Sequence, residues 1–320
     1  MINKILKDYL PISYEEMRGK NFLKNMNKSN IGDIKRVRKG KGLKKVKKCD
    51  LCGKSKFNFL IKKNTLNIVK CDNCNLVFSE MIPNLIDDLY SDKKYLENTL
   101  KSYDKNSNFR KKRFGNERVQ ILQKYKKSGK LLDIGCGVAW FLEVANKFYN
   151  AEGIEVSDDI REYVLKNKNI RTYKYFNDTK NMYDVITAFD LLEHVKSPLE
   201  ILKQIRNRLN PGGISLIFTP NVDSIGFEVL KEKNSLLCPP AHLYYFNKES
   251  MEKYSRKLGL EVINIWTMGI DVGDIYAKEL SLGHTEVAKF LKNNQNWIQH
   301  SIDKAGLGNH MRILLRKPKK

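Results

Sequence analysis

From residue 130 onward, short apolar runs alternate with amphipathic segments, and this alternation restricts the fold more than any other feature. "KLLDIG", "AEGIEV", "IRTYKY", "DVITAFD", "ISLIFTP", "EVINIWT" and "HMRILLR" read as strands. "AWFLEVANKFY", "DDIREYVLKN", "PLEILKQIRNRL", "KESMEKYSRKLG" and "TEVAKFLKNNQNWIQHSIDKA" read as the helices among them. Several strands are continuously apolar rather than alternating. Such strands are buried on both faces, which calls for a mostly parallel sheet covered by helices on each side. Ser197-Pro198 reads as a helix start and Asn210-Pro211-Gly212-Gly213 as its stop. With 320 residues, 41% of them apolar, the chain has material for one large domain or two unequal ones.

In "LLDIGCGVAWF" (131–141) the first of these strands runs into a glycine turn and a helix. A dinucleotide site needs G-x-G-x-x-G, and the sixth position here is Trp140. Asp133 stands two residues before Gly135, where its charge would repel a pyrophosphate. An acid in D-x-G-x-G suits a nucleoside with a positive end instead, and S-adenosylmethionine has an α-ammonium group and a sulfonium. Gly135 and Gly137 let the backbone approach such a ligand. Glu155, 18 residues after Gly137 at the end of the second strand, can accept both ribose hydroxyls, a feature that dinucleotide enzymes share. Asp178, after the third strand, is either a partner for the adenine amino group or a turn former.

Upstream, Cys49, Cys52, Cys71 and Cys74 are spaced C-x2-C-x18-C-x2-C. Two such knuckles close a four-thiolate tetrahedron around zinc with no position left for water, so the module positions rather than hydrolyses. The segment between them alternates like a hairpin. Two disulfides, an iron–sulfur cluster and redox pairs are the alternatives. Cys136 and Cys238 lack the spacing.

The formal charge is +23. Residues 1–48 carry fifteen Lys and Arg against four Asp and Glu, so the excess concentrates in a leader whose run "KRVRKGKGLKKVKK" has no acid. That leader is either a solvated tail of a lysine-rich composition or a contact for a polyanion or partner. No apolar run reaches the length of a membrane span, and the first residues lack a secretory signal, so a cytoplasmic location with reduced thiols is expected.

The motifs "LLDIGCG", "GIEVS", "YDVITAFDLLEHV", "LNPGGISLIFTPN" and "AHLYYFNKESM" together resemble the class I S-adenosylmethionine-dependent methyltransferases, in the branch with ubiquinone-biosynthesis-type and other small-molecule enzymes. The resemblance implies an α/β fold: a Rossmann-like seven-stranded sheet with its last strand antiparallel and helices on both faces, preceded here by a small zinc ribbon. The expected organisation is a basic extension (1–48), the ribbon (49–80), a helical linker or cap (81–128) and the methyltransferase domain (129–320). A helical insertion at about 272–305 would serve as a lid, an oligomer contact or an ordinary amphipathic pair. The family often has a third glycine where this chain has Ala139.

Methyl transfer to a hydroxyl is helped by a base near neutral pKa, and histidine is the natural candidate. His194 follows the fourth strand, and His242 lies in the loop region after the fifth. Each is a candidate catalytic group, with packing as the alternative. Glu193 reads as structural. Phe189 and Asp190 border the expected cofactor site, and Tyr95 or Tyr103 would cap its methionine end or simply pack. The leading expectation is O- or N-methylation of a small molecule, a sugar or nucleotide-linked sugar. RNA or protein methylation through the leader and ribbon comes second, although the ribbon shows little basic–aromatic interleaving on one face. A non-catalytic zinc-ribbon binding protein comes third. The oligomeric state is not legible.

Overall fold

The computed structural model describes residues 12, 14–18, 31–35, 37, 42–84, 97, 100 and 107–319. Most of the basic extension and much of the expected linker, including Tyr95 and Tyr103, lie outside the described residues. After a short helical turn at Tyr14–Met17 come strands β1 (Leu43–Lys45), β2 (Phe57–Lys63), β3 (Leu66–Cys71), β4 (Val77–Ser79) and β5 (Met81–Pro83). Helix α1 (Asn116–Gln123) precedes the alternating part: β6 (Lys130–Ile134), α2 (Trp140–Ala145), β7 (Asn150–Ile154), α3 (Asp158–Lys168), β8 (Thr172–Tyr173), β9 (Tyr183–Phe189), α4 (Pro198–Arg208) and β10 (Leu209–Pro220). The remainder is α5 (Ile225–Leu230), β11 (Tyr244–Tyr245), α6 (Lys248–Lys257), β12 (Glu261–Thr267), α7 (Asp271–Ser281), α8 (Thr285–Asn293), α9 (Gln295–Lys304) and β13 (His310–Arg316).

Seven strands form one sheet in the order β12-β13-β10-β9-β6-β7-β8. Strands β6 to β10 pair in parallel. At one end of β10 the Gly212 N–H donates to the Lys317 carbonyl and the Lys317 N–H donates to the Gly213 carbonyl, while at the other the Asn221 N–H donates to the Asn309 carbonyl, so β13 runs antiparallel to β10. The chain moves from β6 outward to β7 and β8, then returns to the other side of β6 for β9 and β10. Right-handed crossovers therefore place the helices after β6 and β7 on one face and α4 on the other. The order reverses at β6 and β9, and ligands of open α/β sheets bind at the carboxyl ends beside such a reversal.

The apolar runs account for this sheet. Leu131, Leu132, Val185, Ile186, Ala188, Leu216 and Ile217 are fully buried, and full burial of each larger aliphatic side chain contributes about 1.5–3 kcal/mol. Helix α3 is capped by Ser157, whose hydroxyl accepts from the Ile160 N–H, and stops at Asn169 in the left-handed region. Ser197 caps α4, with Pro198 in its first turn. The helix stops at Arg208, two residues ahead of Asn210, the first residue of the expected stop. Asn210-Pro211-Gly212-Gly213 instead enters β10 as an irregularity: Leu209 faces Tyr183 while Ile214 faces Val185. Proline cannot donate to a ladder, so it settles where the register shifts.

The chain divides into two compact units. One comprises Leu85–Phe218, Glu252–Asn264 and Ile313–Lys320; the other comprises Met1–Asn84, Thr219–Met251 and Ile265–Arg312. In the second unit, β11-β4-β3-β2 make a small antiparallel sheet. Ile68, Val77, Val222, Leu237 and Tyr245 form its apolar core. The 272–305 segment contains most of α7 and all of α8 and α9. Asp271, at the start of α7, is fully buried and accepts from the Gly226 and Asn309 N–H groups and from Gln299 Nε2. Burial pushes its carboxyl up against the pull of these donors.

Candidate functional site

At the carboxyl ends of β6, β7 and β9 the sequence-derived residues Asp133, Gly135, Gly137, Glu155, Phe189 and Asp190 lie along one edge of the first unit. Asp133 is 3% exposed. It lies opposite Thr187 on β9, whose hydroxyl donates to Asp133 Oδ1 at 2.6 Å. Burial pushes its carboxyl up to about 7, against the Thr187 hydrogen bond and the charge of Arg118. Gly135 and Gly137 have φ of 70° and 52°, a region that side chains with a Cβ disfavour. A Cβ on Gly135 would meet Leu191 Cδ1 at 3.0 Å, whereas one on Gly137 would meet nothing within 4 Å. The turn is thus packed on one side and open at Gly137. Ala139 also sits in the left-handed region, at φ 60°, which costs a residue with a Cβ about 1–2 kcal/mol. That conformation is the physical reason a glycine suits this position.

Glu155 closes the turn from the next strand. Its Oε2 accepts from the Gly137 N–H at 3.1 Å and its Oε1 from the Ser157 N–H at 2.9 Å. Burial still pushes its carboxyl upward, with these backbone donors opposing. Gly153 on β7 makes room for the turn: a Cβ there would stand 2.5 Å from Cys136 Sγ and 3.0 Å from Leu142 Cδ1. Gly153→Ala is therefore expected to cost about 1–3 kcal/mol in chemical denaturation. Combining it with Cys136→Ala should recover part of the loss; equal and additive losses would show that the clash is absorbed elsewhere.

Arg118 on α1 is the site's least anticipated member. Its guanidinium is buried and lies 3.8 Å from the centroid of Phe189, 4.7 Å from Trp140 and 5.0 Å from Phe218. A cation over several ring faces is attracted by each, and its charge favours the ionised form of Asp133. Phe189 also packs edge-on against Phe141 and Phe218. Asp190 is exposed, at φ 55°, with its N–H on the Phe218 carbonyl. Asp178 is exposed, and its Oδ2 accepts from the Lys174 and Tyr175 N–H groups, closing its own turn.

In the other unit the four cysteines converge, their sulfurs all within 4.8 Å of one another. The close pairs are Cys49 with Cys74 and Cys52 with Cys71, each at 3.5 Å, so neighbours come from opposite knuckles. The knuckles repeat one another. Gly53 and Asn75, both left-handed, donate to the Cys49 and Cys71 carbonyls, while Cys49 and Cys71 donate to Lys54 and Leu76. A tetrahedron with Zn–S of about 2.3 Å has sulfurs about 3.8 Å apart, which this cluster fits. No disulfide joins any of the six cysteines. The Cys52 thiol is pulled down to about 7: burial raises it, but hydrogen bonds to Lys54 and the other cysteines prevail.

His242 is buried in the same unit, with Nδ1 2.7 Å from the Leu236 carbonyl. A carbonyl only accepts, so Nδ1 carries the proton and Nε2 is the basic nitrogen. His194 is half-buried in the first unit, its backbone N–H on the Leu191 carbonyl, and Glu193 beside it is buried.

Strand order, the reversal at β6 and the acid-plus-glycine turn converge with one comparison. Residues 107–265 match the family described as a methyltransferase domain. The chain carries a class I S-adenosylmethionine-dependent methyltransferase domain. A mitochondrial ubiquinone biosynthesis O-methyltransferase of Saccharomyces cerevisiae is 26% identical over 201 residues, 58% of this chain and 59% of the relative. A ubiquinone biosynthesis O-methyltransferase of Pseudomonas aeruginosa is 27% identical over 153 residues, 42% of this chain and 66% of the relative. The chain thus spans less than two thirds of the length of these relatives. Among solved structures, the phosphoethanolamine N-methyltransferase 2 of Haemonchus contortus, in complex with S-adenosyl-L-methionine, is similar at 19% identity and a TM-score of 0.47, covering 76% of this chain and 63% of its own. Among the described residues no helix is long and apolar enough to cross a membrane.

Proposed function

We propose that this chain transfers a methyl group from S-adenosylmethionine to a small-molecule acceptor. The observation that carries the reading is the buried Asp133 carboxylate beneath a glycine turn that is open at Gly137. A buried acid needs a compensating cation, and an α-ammonium group supplies one. Glu155, already aligned by the Gly137 and Ser157 amides, has lone pairs for a ribose diol. Phe189 and Asp190 border the nucleoside, and Asp178 is a further candidate at its adenine end. Bound S-adenosylmethionine supplies a methyl group activated by its sulfonium. Alignment and exclusion of water by the protein do the rest. His194 and His242 are the proposed proton acceptors for an acceptor hydroxyl, with Nε2 of His242 as the basic atom. A sugar or nucleotide-linked sugar in glycan biosynthesis suits the basic charge of the chain, and cytoplasmic reduced thiols suit zinc in the ribbon. The test is methyl transfer to a panel of nucleotide sugars and phenols. His242→Ala should lower turnover about a hundredfold or more while S-adenosylmethionine still binds; unaltered turnover in both His194→Ala and His242→Ala would leave alignment as the whole of catalysis.

One observation favours a second reading. Lys45, Lys47, Phe57 and Phe59 line a single surface groove on the ribbon, with Phe59 65% exposed. The two lysines come from the end of the basic extension and the two rings from the ribbon, so basic and aromatic residues share this groove with Glu80, which pairs with Lys45, an arrangement a single-stranded nucleic acid could use. RNA binding that weakens steeply with salt would support this reading.

A further inference from the structure

The loop joining α5 to β11 carries His242, and the ribbon clasps it at both ends. At the entry, Lys63 ends β2 at the hairpin tip, where Asn64 and Thr65 take left-handed conformations. Its buried ammonium donates to the carbonyls of Glu232 and Asn234. At the exit, the Ser79 N–H donates to the Leu243 carbonyl at 2.8 Å. Tyr244 and Tyr245 then pair with Phe78 and Val77 of β4. The Tyr245 hydroxyl donates back to the His242 carbonyl at 3.1 Å, and Tyr245 and Leu237 belong to the ribbon's apolar core. His242 therefore lies within a span whose neighbours on both sides are bonded to β2 and β4. The second knuckle adjoins these strands: Cys71 ends β3, which pairs with both β2 and β4, and Cys74 stands shortly before β4.

We propose that the ribbon is a positioning element for His242, with Lys63 and β4 transmitting closure of the knuckles to the loop. Metal occupancy then governs acceptor turnover and leaves cofactor binding, which belongs to the other unit, unchanged. Lys63 is a positioning residue and touches no reacting atom. The inference rests on the reading of His242 as the acceptor-side base.

The experiment is amide hydrogen exchange on the full chain, with and without chelator, alongside calorimetric titration of S-adenosylmethionine. In Lys63→Met, and in the chelated parent, exchange over 236–245 should rise about tenfold or more, since a local opening loses a few bonds at once. Lys63→Arg, which keeps a donor for the two carbonyls, should stay near the parent, and cofactor affinity should hold throughout. Tyr245→Phe removes one bond without burying a new group, and should give a smaller rise in the same peptide, which keeps the test available if Lys63→Met fails to fold. Chelation that loosens only residues 46–80, or variants that leave 236–245 unchanged, would overturn the proposal. If no form binds S-adenosylmethionine, the methyltransferase reading fails, while the exchange pattern still decides the coupling.

Discussion

Asp133→Asn should lower affinity for S-adenosylmethionine about ten- to hundredfold, the loss expected when a charge-assisted hydrogen bond becomes a neutral one. The pH dependence makes the result specific. In the folded, ligand-free chain this carboxyl titrates at about 7 rather than 3.8 because it is buried, and an ammonium ligand needs it ionised. Affinity in the parent should therefore fall about tenfold per pH unit below about 7, and binding there should release a proton. In the variant that slope disappears. The same group acts on stability with the opposite trend to an acid whose folded pKa is depressed by a cationic partner. Its folded pKa is raised, so the folded state holds the proton between 3.8 and about 7. Its contribution is fully present below the unfolded pKa and lost as pH rises through the folded one, at up to about 1.4 kcal/mol per unit. Stability curves of parent and variant should differ across that window and run parallel outside it. A parent affinity that is flat from pH 5 to 8 would remove Asp133 from the ammonium site.

The second large effect concerns the metal. Elemental analysis should find one zinc per chain, and Cys71→Ser should lose it together with the ordered ribbon. Structural zinc contributes about 10–16 kcal/mol of apparent binding free energy in small modules, much of it expressed as folding. Cobalt substitution should give the intense thiolate-to-metal absorption of a four-sulfur tetrahedron. Iron with labile sulfide, or no metal at all, would sink the assignment.

What the sequence could reveal, and what it could not, divides along physical lines. Strands β6, β9, β10 and β13 were legible because burial on both faces demands largely unbroken apolar runs, and β7 and the half-buried β12 by their shorter apolar stretches. The cysteine cluster was legible because a knuckle is a local structure and its spacing survives in one dimension. Arg118 was not. Nothing in "GNERVQILQKY" marks its guanidinium as the one that stacks on Phe189, Trp140 and Phe218; that juxtaposition is tertiary. Thr187 left a faint trace as a hydroxyl within an apolar strand, but its partner depended on a register that sequence does not print. Asp271 carries no mark in the sequence, because the three donors that meet it come from distant segments. The ribbon's fourth strand was missed for a related reason: "YY" is too short to signal a strand and pairs far away in sequence.

That last pairing bears on how the protein comes to exist on the ribosome. The cysteine knuckles and the β2–β3 hairpin are contiguous and can close as soon as they emerge, whereas the free edge of β4 must wait for β11, which is made far later. Until then the nascent chain presents an unpaired strand edge of the kind that recruits other chains. Slow synthesis between Ser79 and Tyr244, or arrest before Tyr245, should thus yield aggregates with metal already bound, and faster completion of that stretch should improve recovery of native protein.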